Sequence, residues 1–349
     1  MINISNRLIG ENEPTFIVAE IGANHNNDFE LIKSTIDAAV ECGVDAVKFQ
    51  TYTSEELLSD YNRLITYESN GSIISEKIGT MFDKLSLPKE WHLELFRYAN
   101  DKGLIAFSTP FSLDGMHFLN NDINVPCFKV AASDVNYLEM LVGMAKTKKP
   151  VMLSLGKCTI GEADRAITLL EENGCKDLVI MHCVAQYPSP MGDINLKTIE
   201  TLKLQYPDAI IGFSDHSIGA TAAIGAVVLG ARVIEKHFTL DKTLEGPDHW
   251  FSLDPIEMKY LVKEIRNIEV ALGSSRKRVA PSEEGERTTS IRSIVLKEDA
   301  YKGQVITEDM LKFTRPGWGI EPGDKEKIIG LKVTKAIKKN TVLKWEYFK

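Results

Sequence analysis

The sequence predicts an α/β protein: eight strand-and-helix units closing into a (β/α)8 TIM barrel, followed by a small β-rich domain. Three observations carry that expectation. Short apolar, β-branched runs alternate with amphipathic helical patterns, each run ends in polar side chains, and the rhythm stops at a Pro/Gly/Ser-bearing stretch just after residue 273. The 349 residues suffice for one barrel and a small second domain.

The apolar runs are residues 15–19, 46–49, 104–107, 127–131, 151–153, 178–181, 210–213 and 232–234. Their near-continuous apolarity suits strands covered on both faces, and strand–helix alternation requires parallel pairing through crossovers. Helical patterns fall between them at 30–42, 90–102, 114–121, 137–146, 162–173 and 220–229, with a last helix at 255–272. An open doubly wound sheet is the alternative, but its nucleotide-binding form carries a glycine-rich turn after the first strand, and Gly22 stands alone there. Residues 52–87 break the rhythm as a long polar loop of the kind that forms lids or substrate-binding insertions. Residues 274–290 read as a linker between a barrel at 1–273 and a tail domain at 291–349, with short strands at 291–296, 305–306, 331–337 and 342–345.

Composition limits the partners. Lys and Arg number 41 against 49 Asp and Glu, for a net charge of −8, without a basic tract or zinc-like Cys/His spacing. That argues against a nucleic-acid or membrane-surface partner and for a small molecule. Five cysteines without repeated spacing predict no disulfide framework. The start Met1-Ile2-Asn3-Ile4-Ser5 has no signal-peptide character, and the apolar stretch 220–231 is too short to span a bilayer. A reduced, cytoplasmic location is expected.

The chemistry lies at the strand ends: Glu20, Lys48 with Gln50, Ser108 with Thr109, Lys129, Ser154, His182, Ser214-Asp215-His216 and Glu235-Lys236-His237. In a closed barrel these ends converge on one face, where active sites form. His216 and His237 follow neighbouring strands, so they are candidates to share a divalent ion such as Mn²⁺, Co²⁺ or Zn²⁺, with Asp215 and Glu235 orienting the imidazoles. His25, His92, His117 and His249 lack comparable spacing, and His182 reads as a packed, supporting histidine. Lys48 and Lys129, each flanked by strand apolars, call for a bound anion beside the hydroxyls of Thr109, Ser154 and Ser214. A Schiff-base amine and a snorkelling lysine are the alternatives.

Taken in order, Glu20-Ile21-Gly22-Ala23-Asn24-His25, Val47-Lys48-Phe49-Gln50-Thr51, Phe107-Ser108-Thr109-Pro110-Phe111, Gly212-Phe213-Ser214-Asp215-His216 and Ile234-Glu235-Lys236-His237-Phe238 resemble the sialic acid synthase family. The resemblance continues through Gly246-Pro247-Asp248-His249. Gly303-Gln304-Val305-Ile306 and Arg315-Pro316-Gly317 resemble the family's C-terminal antifreeze-like SAF domain, a β-clip fold.

The resemblance implies a metal-dependent condensation of phosphoenolpyruvate with an N-acetylmannosamine-type aldose, giving a nine-carbon nonulosonic acid and phosphate. The ion is expected to be Mn²⁺, with Mg²⁺ or Co²⁺ as alternatives, on His216 and His237. The resemblance assigns phosphoenolpyruvate to Lys48, Thr109, Lys129, Ser133, Ser154 and Ser214, and the sugar to Gln50, Tyr187, Glu235 and Asp248. Glu20, Asp134 or Asp248 would serve as the catalytic carboxylate. A domain-swapped homodimer is implied, Arg315 reaching the N-acyl group from the other subunit. Two positions depart: Ala132 stands where the family commonly has serine, so Ser133 is expected to substitute, and Ala185 stands where asparagine is common.

The sugar is left open among N-acetylmannosamine, its 6-phosphate and the diacetamido-trideoxyhexoses leading to legionaminate or pseudaminate. The Gly246-Pro247-Asp248-His249 run favours neuraminate or legionaminate members. The competing classes are a Schiff-base aldolase and a non-catalytic carbohydrate-binding protein built around the tail.

Overall fold

Eight parallel strands close on themselves in the computed structural model, which describes residues 1–349 as two units, Met1–Gly273 and Ser274–Lys349. An antiparallel hairpin comes first, β1 (Ile2–Ile4) with β2 (Arg7–Ile9), then the barrel strands β3 (Phe16–Glu20) and β4 (Ala46–Thr51). A second hairpin, β5 (Leu64–Ser69) with β6 (Ser72–Lys77), interrupts the series. The barrel resumes with β7 (Ile105–Pro110), β8 (Phe128–Val130), β9 (Val151–Ser154), β10 (Leu178–Cys183), β11 (Ile210–Asp215) and β12 (Val233–His237). Each barrel strand pairs with the next, and β12 returns to β3 with His237 opposite Glu20. That closure excludes the open sheet.

The helices wrap the outside. They are α1 (Phe29–Cys42), α2 (Ser54–Leu57), α3 (Ile78–Leu85), α4 (Lys89–Asp101), α5 (Leu113–Phe118), α6 (Leu138–Lys146), α7 (Ile160–Glu172), α8 (Thr198–Gln205), α9 (Thr221–Val228) and α10 (Pro255–Leu272). Their starts follow local chemistry: Asp28, Thr159 and Asp254 each cap a helix through the side-chain oxygen, and Pro255 occupies the first turn of α10. The sequence reading gave no helix between β10 and β11. Helix α8 is only two turns long and follows Pro188, Pro190 and Gly192, so its buried pair Ile199 and Leu202 is too short a pattern to stand out.

Strand alternation divides the core in two. Val47, Phe49, Ile180, Phe213 and Ile234 face the helices in the larger cluster. Phe16, Val18, Ala46, Phe107, Met181 and Val233 fill the barrel, where Ile2, Ile4 and Ile9 of the first hairpin join them.

The expected loop at 52–87 is an ordered insertion: α2, the β5–β6 hairpin and α3 share a small core of Ile78, Met81 and Leu85. The overlooked signal is Asn70-Gly71 between two alternating runs. Both residues have positive φ, 47° and 73°, the backbone of a tight hairpin turn.

In the second unit, 274–290 is not an extended linker; it contains a 3₁₀ turn (Pro281–Glu283) and helix α11 (Glu284–Ser290). Beyond it, β13 (Ser293–Leu296) pairs with β14 (Leu311–Thr314), which the sequence reading missed, and α12 (Lys325–Ile328) follows. The other expected strands are single bridges, Val305 with Lys332, Ala300 with Ile337, and Val295 with Val342, around a core of Ile294, Leu296, Ile306 and Leu343. No helix of the molecule is long and apolar enough to cross a membrane. All five cysteines are free.

Candidate active site at the barrel mouth

The alternation that buries Phe16, Val18 and Phe107 inside the barrel brings Glu20, Lys48, Thr109, Lys129, Ser154 and Glu235 to one cavity of about 50 Å³ at the strand ends. Gln50, Tyr187, Ser214, His216 and His237 line the same space. Gly22 lets the wall close. A Cβ there would lie 2.5 Å from Gln50 Cγ and 2.6 Å from Glu20 Oε1, and the Gly22 N–H donates to that same oxygen at 3.1 Å.

Two buried lysines sit among carboxylates and hydroxyls. Lys48 Nζ lies 2.5 Å from Glu20 Oε2 and 3.8 Å from Glu235 Oε1, and donates to Thr109 Oγ1 at 3.1 Å. Gln50 Nε2 donates to Glu20 Oε1 at 2.8 Å. Lys129 Nζ donates to Ser154 Oγ at 2.6 Å and to the Val130 carbonyl at 2.9 Å. Burial works against both ammonium groups. For Lys48 the attraction of Glu20 and Glu235 outweighs it and holds the pKa above the ordinary lysine value, whereas for Lys129 burial prevails and lowers it. Burial likewise opposes charge on Glu235, but Lys129 and Lys48 hold that carboxyl below the usual range. Its Oε1 accepts from Ser214 Oγ at 3.1 Å, and its buried Oε2 has no partner.

The imidazoles of His216 and His237 face each other across the same cavity, ring centroids 5.3 Å apart. His216 Nδ1 donates to the Val184 carbonyl at 3.0 Å, so its Nε2 keeps a lone pair. Burial, reinforced by His237, lowers its pKa to about 3. His237 Nδ1 lies 3.3 Å from Asp248 Oδ2, which again leaves Nε2 free. Burial opposes protonation of His237, but Asp248 more than offsets it and raises the pKa. Tyr187 packs on His216 with centroids 4.2 Å apart, and Phe251 flanks His237 at 5.5 Å. No third His, Cys, Asp or Glu completes a metal-binding cluster with them. Two imidazoles, His216 bonded through Nδ1 and His237 with Nδ1 beside the Asp248 carboxylate, fit an ion that keeps its remaining positions for water and substrate.

Several expected residues lie elsewhere. Ser133 falls on the 3₁₀ turn Ala132–Asp134, which turns it into a neighbouring cavity with Asn136, Lys157 and Arg165 instead of the barrel mouth. Asp134 does not line the mouth either; burial raises its pKa to about 6, and Oδ2 has no partner. Asp215 touches neither imidazole directly, because β11 turns it outward, where it accepts from Lys236 Nζ at 2.8 Å. Asp248 stands behind His237 and is not part of the cavity wall. Arg315 is exposed on the second unit. Ser108 points outward to Thr51 Oγ1 at 2.7 Å, and His182 bonds the Ile194 carbonyl at 2.6 Å and stacks on Phe213, a packing role. Ala132 and Ala185 crowd one spot: a Cβ on Gly156 would lie 2.8 Å and 2.9 Å from their Cβ atoms. The sequence reading missed Cys183, which reaches the mouth because β10 runs two residues past its expected end, and Phe251, whose 3₁₀ turn carries no periodic signal.

Two family models match the chain. The NeuB family model matches residues 35–277, and the SAF domain model matches residues 291–349. The chain belongs to the NeuB family. Among relatives, this NeuB-family chain is 38% identical over 344 residues to the N,N'-diacetyllegionaminic acid synthase of Legionella pneumophila, spanning 97% of this chain and 96% of the relative. It is 35% identical over 345 residues to the human N-acetylneuraminate-9-phosphate synthase, spanning 97% and 93%. A crystal structure of N-acetylneuraminic acid synthetase from Leptospira borgpetersenii superposes with a TM-score of 0.73 at 33% identity, covering 82% of this chain and 94% of that one. The barrel, the SAF domain and the sialic-acid-type synthase family implied by the motifs are therefore those of this chain. It is a synthase of that family.

Proposed function

We propose that this NeuB-family synthase condenses phosphoenolpyruvate with N-acetylmannosamine or a close N-acylated hexosamine, releasing phosphate and a nonulosonic acid. The observation that carries the reading is the single cavity in which two buried lysines, three Ser/Thr hydroxyls and two imidazoles meet. Lys48 with Thr109 and Lys129 with Ser154 form two cationic, hydroxyl-bearing corners, suited to the carboxylate and phosphate of one small dianion. Glu235 Oε1, 3.8 Å from Lys48 Nζ, joins Glu20 in holding that lysine charged before the anion arrives.

The bond-forming step joins C3 of phosphoenolpyruvate to the aldehyde carbon, water adds at C2, and the C2–O bond to phosphate breaks to leave the ketone. A divalent ion held by His216 and His237 would polarise the sugar carbonyl. Glu20 lines the cavity and is the carboxylate best placed to stabilise positive charge at C2 or take the water proton, once Lys48 turns to the substrate. Tyr187 and Phe251 pack against the imidazoles and limit water there. Gln50 and Tyr187 are the sugar-contact candidates on the wall. Arg315 of a second subunit is proposed to complete the N-acyl site in a homodimer. A legionaminate- or pseudaminate-type diacetamido sugar, or a hexosamine 6-phosphate, fits the same chemistry.

One observation favours a second reading. Burial lowers the Lys129 pKa, as a Schiff-base amine requires. Phosphate release measured across a panel of N-acylated hexosamines, with and without chelator, tests the first reading: turnover should stop on chelation and return with Mn²⁺. Full activity in the chelated enzyme would reject the metal role. A covalent pyruvate adduct trapped by borohydride on Lys129 would support the aldolase instead.

A further inference from the structure

The alternation that turns Glu235 and His237 into the barrel turns Lys236 out of it, and Asp215 lies opposite on β11. Both residues are 1% exposed. Lys236 Nζ donates to Asp215 Oδ2 at 2.8 Å and to the Ser217 carbonyl, while Asp215 Oδ1 accepts from the Ser217 N–H at 2.8 Å. Neither charge lines the mouth cavity.

A buried ion pair is a poor source of stability, because desolvation consumes most of the Coulomb gain and an apolar pair packs there as well. Its placement along the chain gives it another use. Asp215 and Ser217 bracket His216, and Lys236 immediately precedes His237, so one three-membered network fixes the backbone on both sides of one imidazole and just before the other. The Val184 and Asp248 contacts set each ring's rotation from inside. The outer network sets how far apart the two backbones stand.

We infer that Lys236 and Asp215 are positioning residues, a buried pair on the outer wall of the barrel that sets the spacing and tilt of the His216 and His237 imidazoles. The inference rests on the reading that these imidazoles act together. Its test uses full-length protein with ¹⁵N-labelled histidine, the two imidazole signals being assigned by their loss in His216→Ala and His237→Ala. The double variant Asp215→Asn/Lys236→Met removes both charges and keeps an acceptor for the Ser217 N–H. Lys236→Arg, which keeps the charge but not the single-point donor, serves if the double variant does not fold.

In the folded variant both imidazole signals should move while those of His25 and His92 stay, and Mn²⁺ affinity, read from the EPR signal of the free ion, should fall about tenfold or more. Unmoved imidazole signals would overturn the inference. Wild-type protein that binds no Mn²⁺ would count against the metal reading alone, because the imidazole signals judge the pair in metal-free protein.

Discussion

Lys129 and Lys48 stand in one cavity with opposite pKa shifts, and the difference lies in their partners: Lys48 touches Glu20, whereas Lys129 meets only a hydroxyl and a carbonyl. Lys129 is thus the cation with most to gain from a bound phosphate. Lys129→Met should raise the KM for phosphoenolpyruvate about tenfold or more, the worth of one charge-assisted hydrogen bond, in steady-state phosphate-release kinetics. A KM within twofold of wild type would remove Lys129 from the anion site. Such residues were legible in the sequence because a strand of period two that ends in a polar side chain declares which way that side chain points. Ser133 was not legible in the same way. A 3₁₀ turn has no period-two register, so its one-place offset from the expected serine could not be converted into a direction.

At the scale of elements, the eight barrel strands are readable from apolar runs, while the β5–β6 insertion reads as a loop because its strands are half exposed and partly polar. Its tip is tied to the site through a short chain of contacts. Ser69 Oγ accepts from the Gly246 N–H at 2.9 Å, and the segment that Gly246 opens brings Asp248 against His237. Gly71 has φ 73°, where a β-branched residue is strained by about 1 to 2 kcal/mol. Gly71→Val should therefore raise the KM for the sugar several-fold and leave that for phosphoenolpyruvate unchanged, as measured by varying each substrate at saturation of the other. Equal changes in both would place the insertion outside sugar recognition.

Across the whole molecule, buried neutral histidines tie stability to pH. Burial lowers the pKa of both His25 and His92 from 6.5 to about 4, and His92 is fixed as a neutral ring between the Pro88 carbonyl at 3.0 Å and Thr51 Oγ1 at 2.9 Å. The unfolded chain takes up protons below pH 6.5 that the folded chain refuses until about 4, so stability is full above 6.5 and lost as pH falls through that window. Each group contributes up to about 3 kcal/mol of loss, and urea unfolding should show a midpoint falling steadily between about pH 6.5 and pH 4.5. His92→Gln should flatten that decline; an unchanged slope would show that His92 is protonated in the folded state. The two-unit organisation was legible from the break in rhythm, whereas the single-bridge pairing of the second unit was not, because isolated bridges leave no repeating pattern. The account depends on side chains from both ends of the barrel sequence serving one reaction. A crystal grown with Mn²⁺ and phosphoenolpyruvate, read by manganese anomalous scattering, tests this most directly. The expected result is one peak bonded to Nε2 of His216 and of His237, with the phosphoenolpyruvate anion between Lys48 and Lys129; a peak elsewhere, or an anion bound away from both lysines, would contradict it.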